Sequence, residues 1–309
     1  MRKFVKVEGE SRGNNENSKI FIGENLDVLD FLLSEKERFN LVYIDAPYNT
    51  GREVFYDNDQ GQWISGINWF DMIKQRILKC YKLLDNEGVI LFSIDDNELY
   101  NVIKILDSIF GKDKFVCSFV WRRRNYSELN EKTISVEHEY ILCYSKSPKY
   151  NVNYKFSTWI DTISINSERE DEFYELASMY QNEARKYIND LFNKEVVTNY
   201  PKPVTLLEEV FSIFLRDGDK ILDIFGGSGT TGEACMKLNA AKNIKVDFVI
   251  VQISKPKPEK TIYNISNLIV KRNQKALEAI QVLYGKSNMG FGVFKDSFYS
   301  DEILFKEID

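Results

Sequence analysis

Histidine is almost absent from this chain: His138 stands alone among 309 residues. A site built from several imidazoles, for a metal or for proton relay, is therefore excluded. Cysteine is sparse too. Cys80, Cys117, Cys143 and Cys235 form no C-x-x-C pair and have no ligand partner nearby in sequence. They read as reduced, buried thiols of a cytosolic protein, and no metal is expected. No apolar run of about 18 residues occurs, so no membrane span is expected. The start, Met1-Arg2-Lys3-Phe4, is charged and leads into no apolar stretch, which argues against secretion and for a cytoplasmic location. Basic charge is in deficit. The 41 Lys and Arg against 47 Asp and Glu leave a net charge of -6. Total charge thus counts against a nucleic-acid partner, although an acidic shell can surround a basic cleft.

What the chain does have is apolar and aromatic mass. Hydrophobic residues make up 43%, with 21 Phe, 17 Tyr and 4 Trp. That excludes a low-complexity or disordered protein and suits one large α/β domain, or one domain with a small appendage. Residues 1–18, with Glu10-Ser11-Arg12-Gly13-Asn14-Asn15, read as a flexible lead-in. Phe39–Ile44 and Val89–Ile94 are compact apolar runs ending at Asp45 and Asp95, as expected of strands buried on both faces of a parallel sheet. Further strands are predicted at Lys19–Gly23, Phe115–Trp121, Glu139–Tyr144, Lys220–Phe225 and Val246–Ile253. Helices are predicted at Glu24–Ser34, Trp69–Leu84, Asn97–Phe110, Thr205–Leu215, Thr230–Leu238 and Thr261–Tyr284, with Asp85–Gly88 as a break. Residues 151–200 are more polar and read as a small insert, helical in pattern from Glu168. The alternation of strands and helices implies a mostly parallel sheet with helices on both faces.

Two motifs carry chemistry. In Asp223-Ile224-Phe225-Gly226-Gly227-Ser228-Gly229-Thr230-Thr231, glycines sit where a strand turns into a helix. They permit a tight turn and let backbone N–H groups come close to a ligand. The spacing is not the dinucleotide G-x-G-x-x-G, so the residues alone leave either a cofactor loop or a structural turn. Asp45-Ala46-Pro47-Tyr48-Asn49-Thr50-Gly51 follows a buried strand directly. There a carboxylate can accept from an amino N–H, proline fixes the loop, and tyrosine offers a flat face to a base. Taken alone, it is equally a strand-to-loop turn.

Together, and in this order, the two motifs resemble the beta-class DNA amino-methyltransferases, and most of all the modification (Mod) subunits of type III restriction-modification systems. The resemblance extends to Gly88–Glu98, to Val136–Tyr144, to Tyr200-Pro201-Lys202-Pro203-Val204-Thr205-Leu206 and to Val251-Gln252-Ile253. It covers roughly residues 19–150 and 199–300. It implies a Rossmann-like S-adenosylmethionine-dependent methyltransferase fold: an α/β, mostly parallel seven-stranded sheet with circularly permuted motif order and a small helical insert. Residues 19–150 would be the catalytic half, 151–200 a target-recognition region, and 201–309 the cofactor half and tail.

The resemblance further implies Asp45, Pro47 and Tyr48 as catalytic residues. Asp223, Phe225, Gly227, Gly229 and Thr230 would line the S-adenosyl-L-methionine pocket, with Lys202, Pro203, Leu206, Ser93 and Asp95 contributing. The implied reaction is methyl transfer to adenine N6 of a flipped base. Cytosine N4 is the alternative, as is a catalytically degenerate DNA- or cofactor-binding subunit. DNA is the implied partner. A homodimer and a restriction or specificity subunit are further expected partners, with no membrane involved. Trp121, Arg122, Arg123, Arg124 and Tyr126 are the candidate DNA contacts, against a solvated loop. Lys255, Lys257 and Lys260 are a second basic candidate, and His138 reads as structural. Two departures stand out. Ala46 replaces the loop's usual first proline but keeps its carbonyl. Gln252 stands where many relatives carry an acid for the ribose hydroxyls.

Overall fold

The computed structural model describes residues 3–13, 15, 17–49, 69–123, 137–147, 159–160, 181–193, 201–254, 264–285 and 289–297. The strands are β1 (Phe4–Lys6), β2 (Arg12–Gly13), β3 (Lys19–Ile22), β4 (Phe39–Ile44), β5 (Leu84–Ile94), β6 (Phe115–Arg122), β7 (His138–Ser145), β8 (Trp159–Ile160), β9 (Lys220–Asp223), β10 (Asp247–Gln252) and β11 (Gly290–Asp296). The helices are α1 (Asn25–Ser34), α2 (Trp69–Leu83), α3 (Leu99–Phe110), α4 (Gln181–Leu191), α5 (Val204–Phe214), α6 (Thr230–Lys242) and α7 (Ile265–Tyr284). Among the described residues, no helix is long and apolar enough to cross a membrane.

One sheet joins all the strands, in the order β1-β11-β3-β10-β9-β4-β5-β7-β6-β8, with β2 beside β11. The run from β11 to β5 is parallel throughout. β7 runs antiparallel to both β5 and β6, and β1 and β2 run antiparallel to β11. The sheet is therefore wider than the seven strands expected, and mixed rather than mostly parallel at its flanks. The seven strands from β3 to β6 form its centre, and the extra ones lie at the two edges. Residues 4–6 and 12–13, expected in a flexible lead-in, pair with β11 instead. A two- or three-residue strand has too few residues to show a period, so pattern reading passes over it.

Why this chain packs as three layers is visible in single strands. Leu41 and Tyr43 face one core with α5, α6 and α7, while Val42 and Ile44 face the other with α1, α2 and α3. Val89 and Leu91 against Ile90 and Phe92 repeat the division. Alternate side chains point to opposite faces, so a strand covered on both must be apolar at every position. The Asp85–Gly88 segment, expected as a break, lies inside β5. The register against β4 shifts between Phe39 and Leu41, which absorbs the extra residues as a bulge.

Helix ends follow local chemistry. Asn264 caps α7, its side-chain oxygen accepting from the Asn267 N–H at 2.7 Å, and Gly285 ends the helix in the left-handed conformation at φ 63°. One buried side chain fastens the helical layer to the sheet edge. Asn25, at the start of α1, donates to the Ile224 carbonyl at 3.1 Å and accepts from Arg76 of α2 at 2.7 Å. Asn25→Ala strands both partners and is expected to cost about 1–3 kcal/mol in a urea unfolding titration.

Candidate functional site

Parallel pairing brings the two motifs together. β9 and β4 are neighbours with Tyr43 opposite Asp223, so both chains leave the sheet at the same end. Asp45 and the glycine loop are thus side by side at the carboxyl ends of adjacent parallel strands, where open α/β sheets form their ligand crevice. β5 and β10 deliver Asp95 and Gln252 to the same end.

The glycine loop is built by exclusion. A Cβ on Gly226 would lie 2.3 Å from Ile250 Cγ2, and Gly229 holds φ +87° with Asn273 Nδ2 only 2.5 Å from where its Cβ would be. A Cβ on Gly227 would meet nothing closer than the Phe225 carbonyl at 3.7 Å, so that side is open space. The loop's amides are largely spent within the protein. Phe225 N–H donates to Asp223, Gly226 N–H to the Val251 carbonyl, Gly227 N–H to Gln252 Oε1, and Gly229 N–H to the Gly226 carbonyl. The amides expected to approach a ligand are thus internal bonds, and the loop is no phosphate nest. The acid at the head of the loop is buried with it. Asp223 is 2% exposed, and burial pushes its carboxyl up to about 7 despite the hydrogen bonds from Thr231 and Phe225. A buried acid poised in this way is stabilised by an arriving cation.

A buried brace supports the loop from behind. Arg272 of α7 is fully buried and donates to Ser228 Oγ at 2.8 Å, to Thr230 Oγ1 at 2.7 Å and to Glu233 at 2.8 Å. Glu233 is fully buried as well, and its carboxylate also takes the Tyr187 hydroxyl of α4. Burial raises the Glu233 carboxyl, and Arg272 with Lys237 more than reverses this. Helix α4 is thereby linked to the glycine loop through Tyr187, Glu233 and Arg272. Nothing in the spacing of these residues announces that link.

Around Asp45 the geometry is denser than the sequence suggested. The Tyr48 hydroxyl lies 3.0 Å from Asp45 Oδ1 and 3.1 Å from Glu139 Oε2. Lys202 places its ammonium 2.6 Å from that hydroxyl, 2.6 Å from Glu139 and 3.3 Å from Asp45. Trp69 at the head of α2 donates to the Pro47 carbonyl at 2.7 Å, and Ala46 is buried in the core beneath. Asn49 is left-handed at φ 55° and reaches Glu98 at 2.6 Å. Asp95 accepts from Asn97 N–H and Nδ2, and Ser93 shares a hydrogen bond with the Tyr43 hydroxyl.

Several expected residues are placed differently. Lys202 turns only its backbone to the glycine loop, where its carbonyl accepts from Thr230 at 3.3 Å. Its side chain belongs to the Asp45 cluster. Leu206 is fully buried core, and Pro203 is buried as the cap of α5. Trp121, expected to contact DNA, is 1% exposed. Strand alternation turns it into the core, with Lys202 Nζ 5.5 Å from its ring. Arg122 pairs with Glu137 at 3.4 Å and Arg123 with Glu139 at 3.0 Å, so both are engaged with protein carboxylates. Arg124, Tyr126, Lys255, Lys257 and Lys260 lie outside the described residues. His138 bonds Tyr140 on its own strand at 2.8 Å. The residues that pattern reading missed are Glu139, Trp69, Glu233 and Arg272. Only Glu139 carried a signal, as the acid on an otherwise apolar and aromatic strand.

Three acidic strand ends, at Asp45, Asp95 and Asp223, thus stand beside a glycine turn whose amides are bonded within the protein and an aromatic ring held by two carboxylates. Residues 39–275 match the family of N6/N4 DNA methylases, and the chain belongs to that family. Over 83% of its length it is 26% identical to the StyLTI Mod subunit, a type III restriction-modification enzyme subunit of Salmonella typhimurium, and covers 56% of that protein. Over 43% of its length it is 33% identical to the type II methyltransferase M.KpnI of Klebsiella pneumoniae, covering 34% of it. The chain therefore spans about half, or less, of the curated relatives it matches. Its fold is shared with the M1.HpyAVI-SAM complex (TM-score 0.52, 17% identity, 82% of this chain and 98% of that one). It is shared equally with the PvuII cytosine-N4-specific DNA methyltransferase (TM-score 0.52, 16% identity, 88% and 93%).

The buried brace can be tested directly. Glu233→Ala leaves the Arg272 guanidinium buried without its counter-charge, and a loss of about 3–5 kcal/mol is expected in denaturant unfolding. Tyr187→Phe removes one hydrogen bond from the same chain and should cost about 1 kcal/mol.

Proposed function

We propose that the chain is an S-adenosylmethionine-dependent DNA methyltransferase that modifies the exocyclic amino group of adenine at N6. The observation that carries the reading is the meeting of Asp45, Tyr48 and the glycine loop at one end of the sheet. The residues fit the cofactor. Gly227 leaves space where a side chain would stand, no phosphate-type amide nest is on offer, and the buried Asp223 favours a cation. We assign the cofactor's place to Asp223, Phe225, Gly227, Gly229 and Thr230, with Gln252, Ser93 and Asp95 at the neighbouring strand ends. Bound there, S-adenosylmethionine supplies an electrophilic methyl group on a cationic sulfur.

The chain's own residues would do the rest. A flipped base needs a flat surface and two acceptors for its amino hydrogens. Tyr48, pinned through its hydroxyl, presents an aromatic ring that cannot swing away. Asp45 accepts one amino hydrogen. Trp69 already holds the Pro47 carbonyl, so we assign the second acceptor to the carbonyl of Ala46, which the missing proline ring leaves in place. With both hydrogens engaged, the nitrogen lone pair is left free toward the crevice, where a bound S-adenosylmethionine would supply the methyl group, and the surplus amino proton would leave by way of Asp45 to water. No covalent enzyme intermediate is required, and orientation supplies most of the rate.

Adenine is our choice of base, from the aspartate that opens the loop. We assign DNA as the substrate and residues 151–200 as the recognition region. Four relatives are named Mod subunits of type III enzymes, one of them as probable, which supports a restriction subunit as partner. A homodimer is a further assignment on the same footing. Asp45→Ala should cut methyl transfer from tritiated cofactor into DNA by on the order of 10²–10⁴-fold. Isothermal titration should show its cofactor affinity close to that of the unaltered protein. Undiminished transfer in that variant overturns the mechanism. Nucleoside mass spectrometry of the product should show N6-methyladenine; N4-methylcytosine would replace the base assignment.

A further inference from the structure

Asp45 does not meet the crevice as an isolated acid. Glu139, on β7, lies beside it, and the Lys202 ammonium stands between them. The three hydrogens of that ammonium have three acceptors: Glu139 Oε2 and the Tyr48 hydroxyl, both at 2.6 Å, and Asp45 Oδ1 at 3.3 Å. Arg123 closes the cluster from just past the end of β6, donating to the other Glu139 oxygen at 3.0 Å. Each oxygen of Glu139 thus has its own cation, whereas Asp45 has one long ion contact and one hydrogen bond from Tyr48.

Exposure rises from Glu139 through Lys202 to Asp45, while Arg123, on the other side of Glu139, is 19% exposed. The side chains of Glu139, Lys202 and Asp45 are 4%, 9% and 26% exposed. Asp45 is therefore the member a ligand can reach, and the Lys202–Glu139 pair lies behind it. Two neighbouring carboxylates resist being charged together, and the cation between them decides how far each is. For an acid that must accept an amino hydrogen this matters: a protonated Asp45 would turn an O–H donor toward an N–H donor.

We propose that Lys202 and Glu139 are positioning residues for Asp45: the ammonium, anchored by Glu139, is the resident counter-charge that keeps the Asp45 carboxylate ionised and turned toward the crevice. The inference rests on the methyl-transfer reading for its purpose but not for its test. The groups facing Asp45 are Lys202 ahead of α5, Glu139 on β7, Tyr48 in its own loop, Tyr43 on β4 and Asp223 at the end of β9. Arg123 and Asp95 bear on it through Glu139. Among the described residues, Lys202 is the cation in direct contact.

The signs follow from these neighbours. Burial raises the Asp45 carboxyl, Glu139 raises it further, and Lys202 lowers it, leaving it above the usual carboxylate range. Burial works against the Lys202 charge, and Asp45 and Glu139 outweigh it, so the ammonium stays charged. Lys202→Met must then move Asp45 ionisation to higher pH. Glu139→Gln, which removes the like charge and releases Lys202 toward Asp45, must move it to lower pH. Lys202→Arg keeps the charge and should restore a midpoint near the original. A pair that merely packed the loop would leave the acid limb of the methyl-transfer rate unmoved.

The full chain, labelled with ¹³Cγ-aspartate and free of cofactor and DNA, provides the reading, with the Asp45 signal assigned by Asp45→Asn. The expected result is a midpoint raised by about one pH unit or more in Lys202→Met and lowered in Glu139→Gln. Unmoved midpoints, or shifts of the same sign, overturn the proposal. If Lys202→Met does not fold, as judged by circular dichroism, the sign in Glu139→Gln and the restoration in Lys202→Arg decide it. The acid limb of the methyl-transfer rate should follow the same midpoints. An unaltered protein that transfers no methyl group at any pH sinks the catalytic reading, while the carbon titration still decides the charge relation.

Discussion

The parallel pairing of β4 with β9 is the constraint on which the rest depends. It sets Tyr43 opposite Asp223 and so releases the Asp45 loop and the glycine loop along the edge formed by the strands' carboxyl ends, although the two lie far apart in sequence. A shift of one residue would turn every side chain of β4 to the opposite face. Both faces are apolar here, so the hydrophobic pattern alone specifies that register weakly. Polar groups add to it: Lys220 N–H at the start of β9 donates to the Asn40 side chain of β4 at 2.9 Å, and on its other side β4 is tied to β5 by Tyr43 and Ser93.

Around that edge, charge is handled by pairing rather than by exposure. Glu233 and Arg272 are both fully buried, and each supplies the partner that makes the other's burial tolerable. Glu139 and Lys202 stand in the same relation nearer the crevice. The two pairs hold different things. Arg272 fixes hydroxyls of the glycine loop from below, while Lys202 gathers the aromatic and the acids of the Asp45 loop from the side. α4 starts where its Gln181 N–H meets the Arg123 carbonyl and runs to Tyr187 at Glu233, so the insert touches both arrangements. A net charge of -6 is compatible with this site because its basic groups are local and already committed to acids.

The departures within the motifs become intelligible in place. Ala46 is buried under the loop, in the apolar cluster that also holds Trp69. The rigidity a proline ring would give is supplied by the Trp69 bond to Pro47 and by the Asn49–Glu98 bond. Gln252 uses its amide oxygen to hold the Gly227 N–H, a task any acceptor at that strand end could perform, and its nitrogen is bonded to the Ile253 carbonyl.

The sequence alone determined the alternation of strands and helices and the two loops. Phe39–Ile44 ended where expected, because a doubly buried strand must be apolar at each position and must stop at its first charge. The same logic failed for β1, β2 and β8, which are two or three residues long, and for β11, whose pattern is interrupted by Gly290 and Gly292 and which gains its identity from β1, β2 and β3. It failed again for Trp121, whose placement depends on which face of β6 meets the core. What only the tertiary structure decided was the pairing of charges: Lys202 with Asp45 and Glu139, Arg272 with Glu233, and Arg123 with Glu139. These pairs join residues on different elements, from β6 and β7 to the lead of α5 and on to α6 and α7. No spacing along the chain records them; they exist because crossovers to a common sheet edge bring their carriers within hydrogen-bond reach.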